Sequence, residues 1–267
     1  MAADVYFLVH VPKCAGTTVE AFVTANFPRA AIAPLKRRSP GRWFSTYYEI
    51  PRNADFGTIE FVMGHYFGRS IGRHFPGRTI RQAILLRDPA GFLFSYYSYR
   101  MAGHERRHQS LYDFELYYRG RAPNPISFFI LNRYLEIPRR RLATMSEGTK
   151  FELLETLLRG FWHVGAHDHC GDLIRRVAAE KGVEARYERR NATPKHFLHA
   201  AEFRARWAER ILAENALDAL LFERFCTGAE VRPPARAPTA RDLANLVREV
   251  TRPVFAIRAR FKRDHGI

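Results

Sequence analysis

Apolar residues fall in short blocks along this chain, and the blocks alternate between two patterns. Tyr6 to Val11 is an apolar run of strand length, read as a buried strand of the kind found in parallel sheets. Pro12 to Gly16 breaks the run, and Thr17–Phe27 then places Val19, Phe22 and Val23 at helical spacing. The same order recurs: Ala83 to Leu86 is a second strand, Arg87-Asp88-Pro89 a break, and about Ala90 to Met101 an aromatic helix. Asp88 is placed to cap that helix, and Pro89 suits its first turn.

Between these units, Lys36–Arg42 reads as a basic turn-like loop and Glu60–Gly64 as a short strand ending at His65. Further on, Phe161–Gly165 is expected to be a strand, Cys170–Lys181 a helix, Val183–Tyr187 another strand and Glu202–Cys226 a helix. Strands alternating with helices predict an α/β domain built on a mostly parallel sheet. A Pro-rich linker, Pro233 to Pro238, sets off the end of the chain. The organisation is therefore a domain over residues 1–231 and a basic linker with an amphipathic helical tail over 232–267.

The chain has 267 residues, and 46% of them are hydrophobic, enough for a buried core; this excludes a disordered or fibrous chain. The net charge is +16, carried by 37 Arg and only six Lys. Arginine favours bidentate contacts to phosphate or sulfate, so an anionic partner and a merely solvated basic surface are both open readings. The tail holds nine of the basic residues and three acidic ones, a net +6. It fits docking on the protein, a partner, or peripheral contact with an anionic membrane surface. Cys14, Cys170 and Cys226 lie far apart without a CxxC pair, which argues against a zinc ribbon and for a reducing, cytoplasmic compartment. We read no signal peptide and no transmembrane segment.

Two breaks carry candidate chemistry. In Pro12 to Thr18 a glycine-containing loop joins a buried strand to a helix N-terminus, where backbone N–H groups and the helix dipole attract an anion. Lys13 adds a point charge, and Thr17 and Thr18 add hydroxyls. The spacing is not that of the triphosphate-binding loop G-x-x-x-x-G-K-[ST]. In the second break Arg87 sits where a parallel strand ends, the edge at which such sheets bind ligands, and Ser95 follows about two helical turns later.

Val9 to Thr18 together with Leu85 to Pro89 and Ser95 to Arg100 resembles the two cofactor motifs of the sulfotransferases that use 3′-phosphoadenosine 5′-phosphosulfate. The resemblance is to the carbohydrate-modifying branch that includes heparan sulfate 2-O- and 6-O-sulfotransferases and bacterial relatives. Gly64-His65, Asn132-Arg133, Val164-Gly165, Asn191 and Asp218 to Phe222 also look similar, so the likeness spans about residues 5–227. It implies a P-loop-like central parallel sheet flanked by helices. It further implies that Lys13, Cys14, Ala15, Gly16, Thr17 and Thr18 hold the 5′-phosphosulfate, and Arg87 and Ser95 the 3′-phosphate. Cys14 replaces the usual threonine, and Ala166-His167-Asp168 replaces a stretch that often carries an acid and an arginine.

Sulfuryl transfer needs a base to take the acceptor's proton, and histidine has a suitable pKa. His65 is the candidate base, with Lys13 the candidate catalytic cation. His10 reads as a packing residue. His74, His104 and His108 read as surface residues, the last two at a spacing that shares a helix face without a third ligand for a metal. Residues 61–87 hold five arginines and no acid, which predicts an electropositive surface near His65. Trp43, Tyr47 and Tyr48 are candidates for stacking on a sugar.

The expected activity is transfer of a sulfuryl group to a hydroxyl of a glycan or glycolipid acceptor, with no metal. The expected location is cytoplasmic, with the tail in peripheral contact at the inner face of the membrane as one option. A P-loop-type small-molecule or nucleoside kinase and a non-catalytic polyanion-binding protein are the alternatives. Nucleic acid is disfavoured, because no known nucleic-acid-binding motif is evident.

Overall fold

A computed structural model describes residues 4–37, 48–49, 54–188 and 197–228. The apolar run at the start forms β1 (Val5–Val9), buried along its whole length, followed by α1 (Gly16–Asn26). Two short strands, β2 (Lys36–Arg37) and β3 (Tyr48–Glu49), pair antiparallel, so the segment expected as a loop begins as a ribbon. Next come β4 (Phe61–Gly64), β5 (Ile80–Leu86) and α2 (Pro89–Arg106).

A helical stretch follows: α3 (Phe114–Arg119), α4 (Pro125–Phe129), α5 (Arg139–Thr144) and α6 (Glu147–Arg159). Strand β6 (His163–Ala166) leads into α7 (Cys170–Lys181), then α8 (Ala200–Glu214) and α9 (Ala216–Phe222).

The main sheet has four parallel strands in the order β4-β1-β5-β6. Val9 pairs with Gly64 on one side and Ile84 on the other, and Ile84 with Val164. This is the expected α/β fold with a central parallel sheet flanked by helices. The chain moves from β1 out to β4, then crosses back to β5 on the other side of β1. The strand order thus reverses between β1 and β5, and the carboxyl edge at that point is where open α/β sheets form ligand crevices. The loops carrying Lys13 and Arg87 both start there.

Local chemistry explains the boundaries. Asp88 caps α2 by accepting from the Gly91 N–H at 2.7 Å, and Pro89 occupies the first turn, where a missing N–H costs nothing. Gly182 ends α7 in the left-handed conformation, with φ +65°. Val183 to Tyr187 then forms no strand, contrary to expectation. Val183 and Ala185 pack on the core and Glu184 and Arg186 face water, so the alternation is real. A Cβ at Gly171, on the first turn of α7, would meet the Tyr187 hydroxyl at 2.2 Å, so the segment lies along α7 instead of pairing with β6.

The helix expected over Glu202–Cys226 breaks at Asn215, whose backbone leaves the helical region between α8 and α9. The tail at 232–267, with Trp43, Tyr47 and Asn191, lies outside the described residues. Among the described residues no helix is long and apolar enough to cross a membrane.

Candidate functional site

The loop between β1 and α1 is tightly curled. Lys13 and Ala15 both adopt positive φ, 65° and 60°, which turns successive backbone groups inward. Ala15 is the N-cap of α1 and has no side chain to offer the helix, so the first-turn N–H groups, at Gly16 and Thr17, are left for an outside acceptor. Thr17 is partly exposed, whereas Thr18 is buried. Cys14 points away from the loop into the core, and its N–H bonds the Val11 carbonyl at 3.2 Å. Burial pushes its thiol well above the ordinary range, so Cys14 stays a neutral packing group.

The second motif reaches the first directly. One terminal nitrogen of Arg87 donates to the Lys13 carbonyl at 3.1 Å, and the buried Nε of Arg87 has no protein acceptor. Burial, and then the charge of Arg87, make the Lys13 ammonium easier to deprotonate than a free lysine; burial likewise lowers Arg87. Two cations held close, an orphaned donor and open helix N–H groups make a donor-rich basic surface that fits anionic groups. The Lys13 ammonium rests 4.7 Å from the centroid of the Tyr99 ring. Tyr99 is half-exposed and one helical turn beyond the buried Ser95 on α2.

His65 follows the carboxyl end of β4, next to the strand that feeds the Lys13 loop. Its Nδ1 is 2.6 Å from the carbonyl oxygen of His10. A carbonyl only accepts, so Nδ1 carries the proton and the lone pair of the neutral ring sits on Nε2. Burial, the charge of His10 and the charge of Arg133 lower the His65 pKa to about 4, against the pull of the backbone bond and of Glu20. His65 is therefore neutral at physiological pH. Gly64 before it has φ +122°, a conformation other residues rarely adopt.

His10 is buried, as expected of a packing residue, but it also does more. Its ring lies 3.8 Å from that of His65, centroid to centroid, and its Nδ1 meets Glu20 Oε1 at 2.7 Å. Gly16 makes room for it, because a Cβ there would stand 1.9 Å from the imidazole. Glu20 does not stand out in the sequence; its one signal there is a carboxylate one turn into a helix that starts beside a histidine-bearing strand end.

Other expectations resolve differently. Tyr48 is no exposed sugar platform: it is buried, with its hydroxyl 2.8 Å from that of Ser70. The acid-free run of 61–87 does not form one basic surface. Arg81, near the start of β5, pairs with Asp4 and Glu180 at the edge opposite Arg87, and Arg78 donates to the Phe56 carbonyl. His108 lies past the end of α2 with φ 53°, so it shares no helix face with His104, whose Nδ1 contacts the Ser110 carbonyl. His74 stacks on Phe56. No protein-family model matches the chain, and no curated protein matches it.

Proposed function

We propose that this protein is a sulfotransferase that moves a sulfuryl group from 3′-phosphoadenosine 5′-phosphosulfate to a hydroxyl of a carbohydrate or glycolipid acceptor. The observation that carries the reading is the junction of Lys13 and Arg87 at the reversal of strand order, with His65, its free Nε2 fixed by the His10 carbonyl, ending the neighbouring strand.

Lys13 and the first-turn N–H groups of Gly16 and Thr17 would hold the 5′-phosphosulfate, and Arg87 and Ser95 the 3′-phosphate. Bound there, the donor supplies an activated sulfuryl group, whose bond to the phosphate oxygen breaks as the acceptor oxygen bonds to sulfur. His65 takes the acceptor's proton on Nε2. Lys13 offsets the charge that builds on the departing phosphate. A pKa near 4 makes His65 always available but weakly basic; negative charge brought in beside it raises that pKa toward the useful range. The three free cysteines suit a reducing, cytoplasmic setting for this activity.

The test is transfer of labelled sulfate from the donor to a panel of glycans and membrane extracts, with His65→Ala as control. Transfer that falls by about 10²- to 10⁴-fold in the variant, with unchanged affinity for adenosine 3′,5′-bisphosphate, is the expected result. Binding of ATP as tightly as adenosine 3′,5′-bisphosphate would overturn the reading.

A further inference from the structure

We propose that Glu20 and His10 form a positioning pair for His65, in which the Glu20 carboxylate orients the His10 ring and His10 in turn holds and tunes the base through a ring contact and a backbone bond. The inference rests on reading His65 as the base of the site.

The geometry is a chain of three contacts. Glu20, on the first turns of α1, fixes His10 Nδ1 at 2.7 Å. The His10 ring lies against the His65 ring at 3.8 Å with a 39° tilt. The His10 carbonyl fixes His65 Nδ1 at 2.6 Å. Two glycines frame the cluster: Gly16 leaves the space that the His10 ring fills, and Gly64 carries the chain past Glu20 Oε1, 3.9 Å from where its Cβ would be. His10 is buried, so it presents its ring to His65 without competing for an acceptor in solvent.

The charged groups that act on His65 are His10 and Glu20 from the β1–α1 unit and Arg133 from the turn after α4. His10 and Arg133 oppose a proton on His65, and Glu20 favours one. The two members of the pair therefore pull the base in opposite directions. A purely structural role for either would leave the titration of His65 where it is.

The experiment follows the histidine ring C2–H signals of the full chain by NMR across pH, with the His65 signal assigned from His65→Asn. Glu20→Gln keeps an acceptor for His10 but removes the charge, and the His65 midpoint is expected to move down. His10→Asn removes the ring, and the midpoint is expected to move up. The acidic limb of the sulfuryl-transfer rate is expected to move the same way in each variant. A His65 midpoint unmoved by Glu20→Gln, or moved up by it, overturns the proposal; if His10→Asn does not fold, the variant at the partly exposed Glu20 decides alone. Because the NMR midpoints need no activity, shifts of the expected signs without any transferase activity would retain the pair and reject the functional reading.

Discussion

Arg87 donates to the carbonyl oxygen of Lys13 across the gap between two parallel strands, at 3.1 Å. This one bond locks the loop after β1 to the loop after β5, and it uses only part of the guanidinium. The buried Nε stays without a protein partner, a donor whose isolation costs about 1–3 kcal/mol until an acceptor arrives. Replacing Arg87 by Lys keeps the charge and loses the fork. Affinity for adenosine 3′,5′-bisphosphate, measured by calorimetry, is expected to fall by about 10- to 100-fold, the equivalent of a charge-assisted hydrogen bond. Equal affinity in the Lys variant would remove Arg87 from the anion site.

Gly16 owes its identity to His10. A methyl group there would stand 1.9 to 2.4 Å from three atoms of an imidazole that is itself pinned by Glu20 and packed on His65. Gly16→Ala is expected to destabilise the fold by about 1–3 kcal/mol, the usual range for overpacking. In a His10→Ala background the clash disappears, so the same substitution should cost little. Urea denaturation of the two single variants and the double variant measures this coupling; additive losses would show that the ring is not what Gly16 accommodates.

Much of the fold is legible in the order of residues because the buried parts of the central strands read as unbroken apolar runs, as β1 and residues 83–86 of β5 do. The loop after β1 stands out for a related reason: glycine, lysine and paired threonines after a buried strand have few purely structural uses. Pairing is less legible. Val183 to Tyr187 has a strand's alternation, but alternation records only that one side is buried, and here α7 does the burying. The arginines of 61–87 share one acid-free stretch of sequence, yet β5 carries Arg81 and Arg87 to opposite ends of the sheet, where acids from distant segments neutralise the first. Glu20 became visible only once β4 had delivered His65 beside His10.

Asn215, which breaks the long helix, belongs to a buried clasp. The Asn124 side-chain oxygen accepts from the N–H groups of Leu217 and Asp218, capping α9, while the Asp218 carboxylate accepts from the N–H groups of Ile126 and Ser127, capping α4. Asn215 closes the ring by accepting from the Asn124 N–H at 2.8 Å. Each helix start is thus satisfied by a residue of the other, about 90 positions away in sequence. Asp218→Ala strands buried donors on α4 and is expected to cost about 2–4 kcal/mol, more than an ordinary exposed cap. Chemical denaturation measures it, and a loss within 0.5 kcal/mol, the usual range for a surface substitution, would show that water replaces the carboxylate.

His65 and Asp218 make opposite contributions to acid stability. Burial above all lowers His65 from 6.5 to about 4, so its neutral form is favoured by folding, and the stability it contributes above pH 6.5 is lost as pH falls toward 4. Burial raises Asp218 from 3.8 to about 6 against the pull of its three donors, so its contribution is full below pH 3.8 and is lost as pH rises through 6. Between these limits the two largely offset each other in the native protein. His65→Gln removes one side of the balance. Relative to the native chain, the variant is expected to gain about 2–3 kcal/mol on going from pH 7 to pH 4.5, read from urea denaturation at both pH values. A stability difference between the two proteins that does not change with pH would mean that folding leaves the titration of His65 unperturbed.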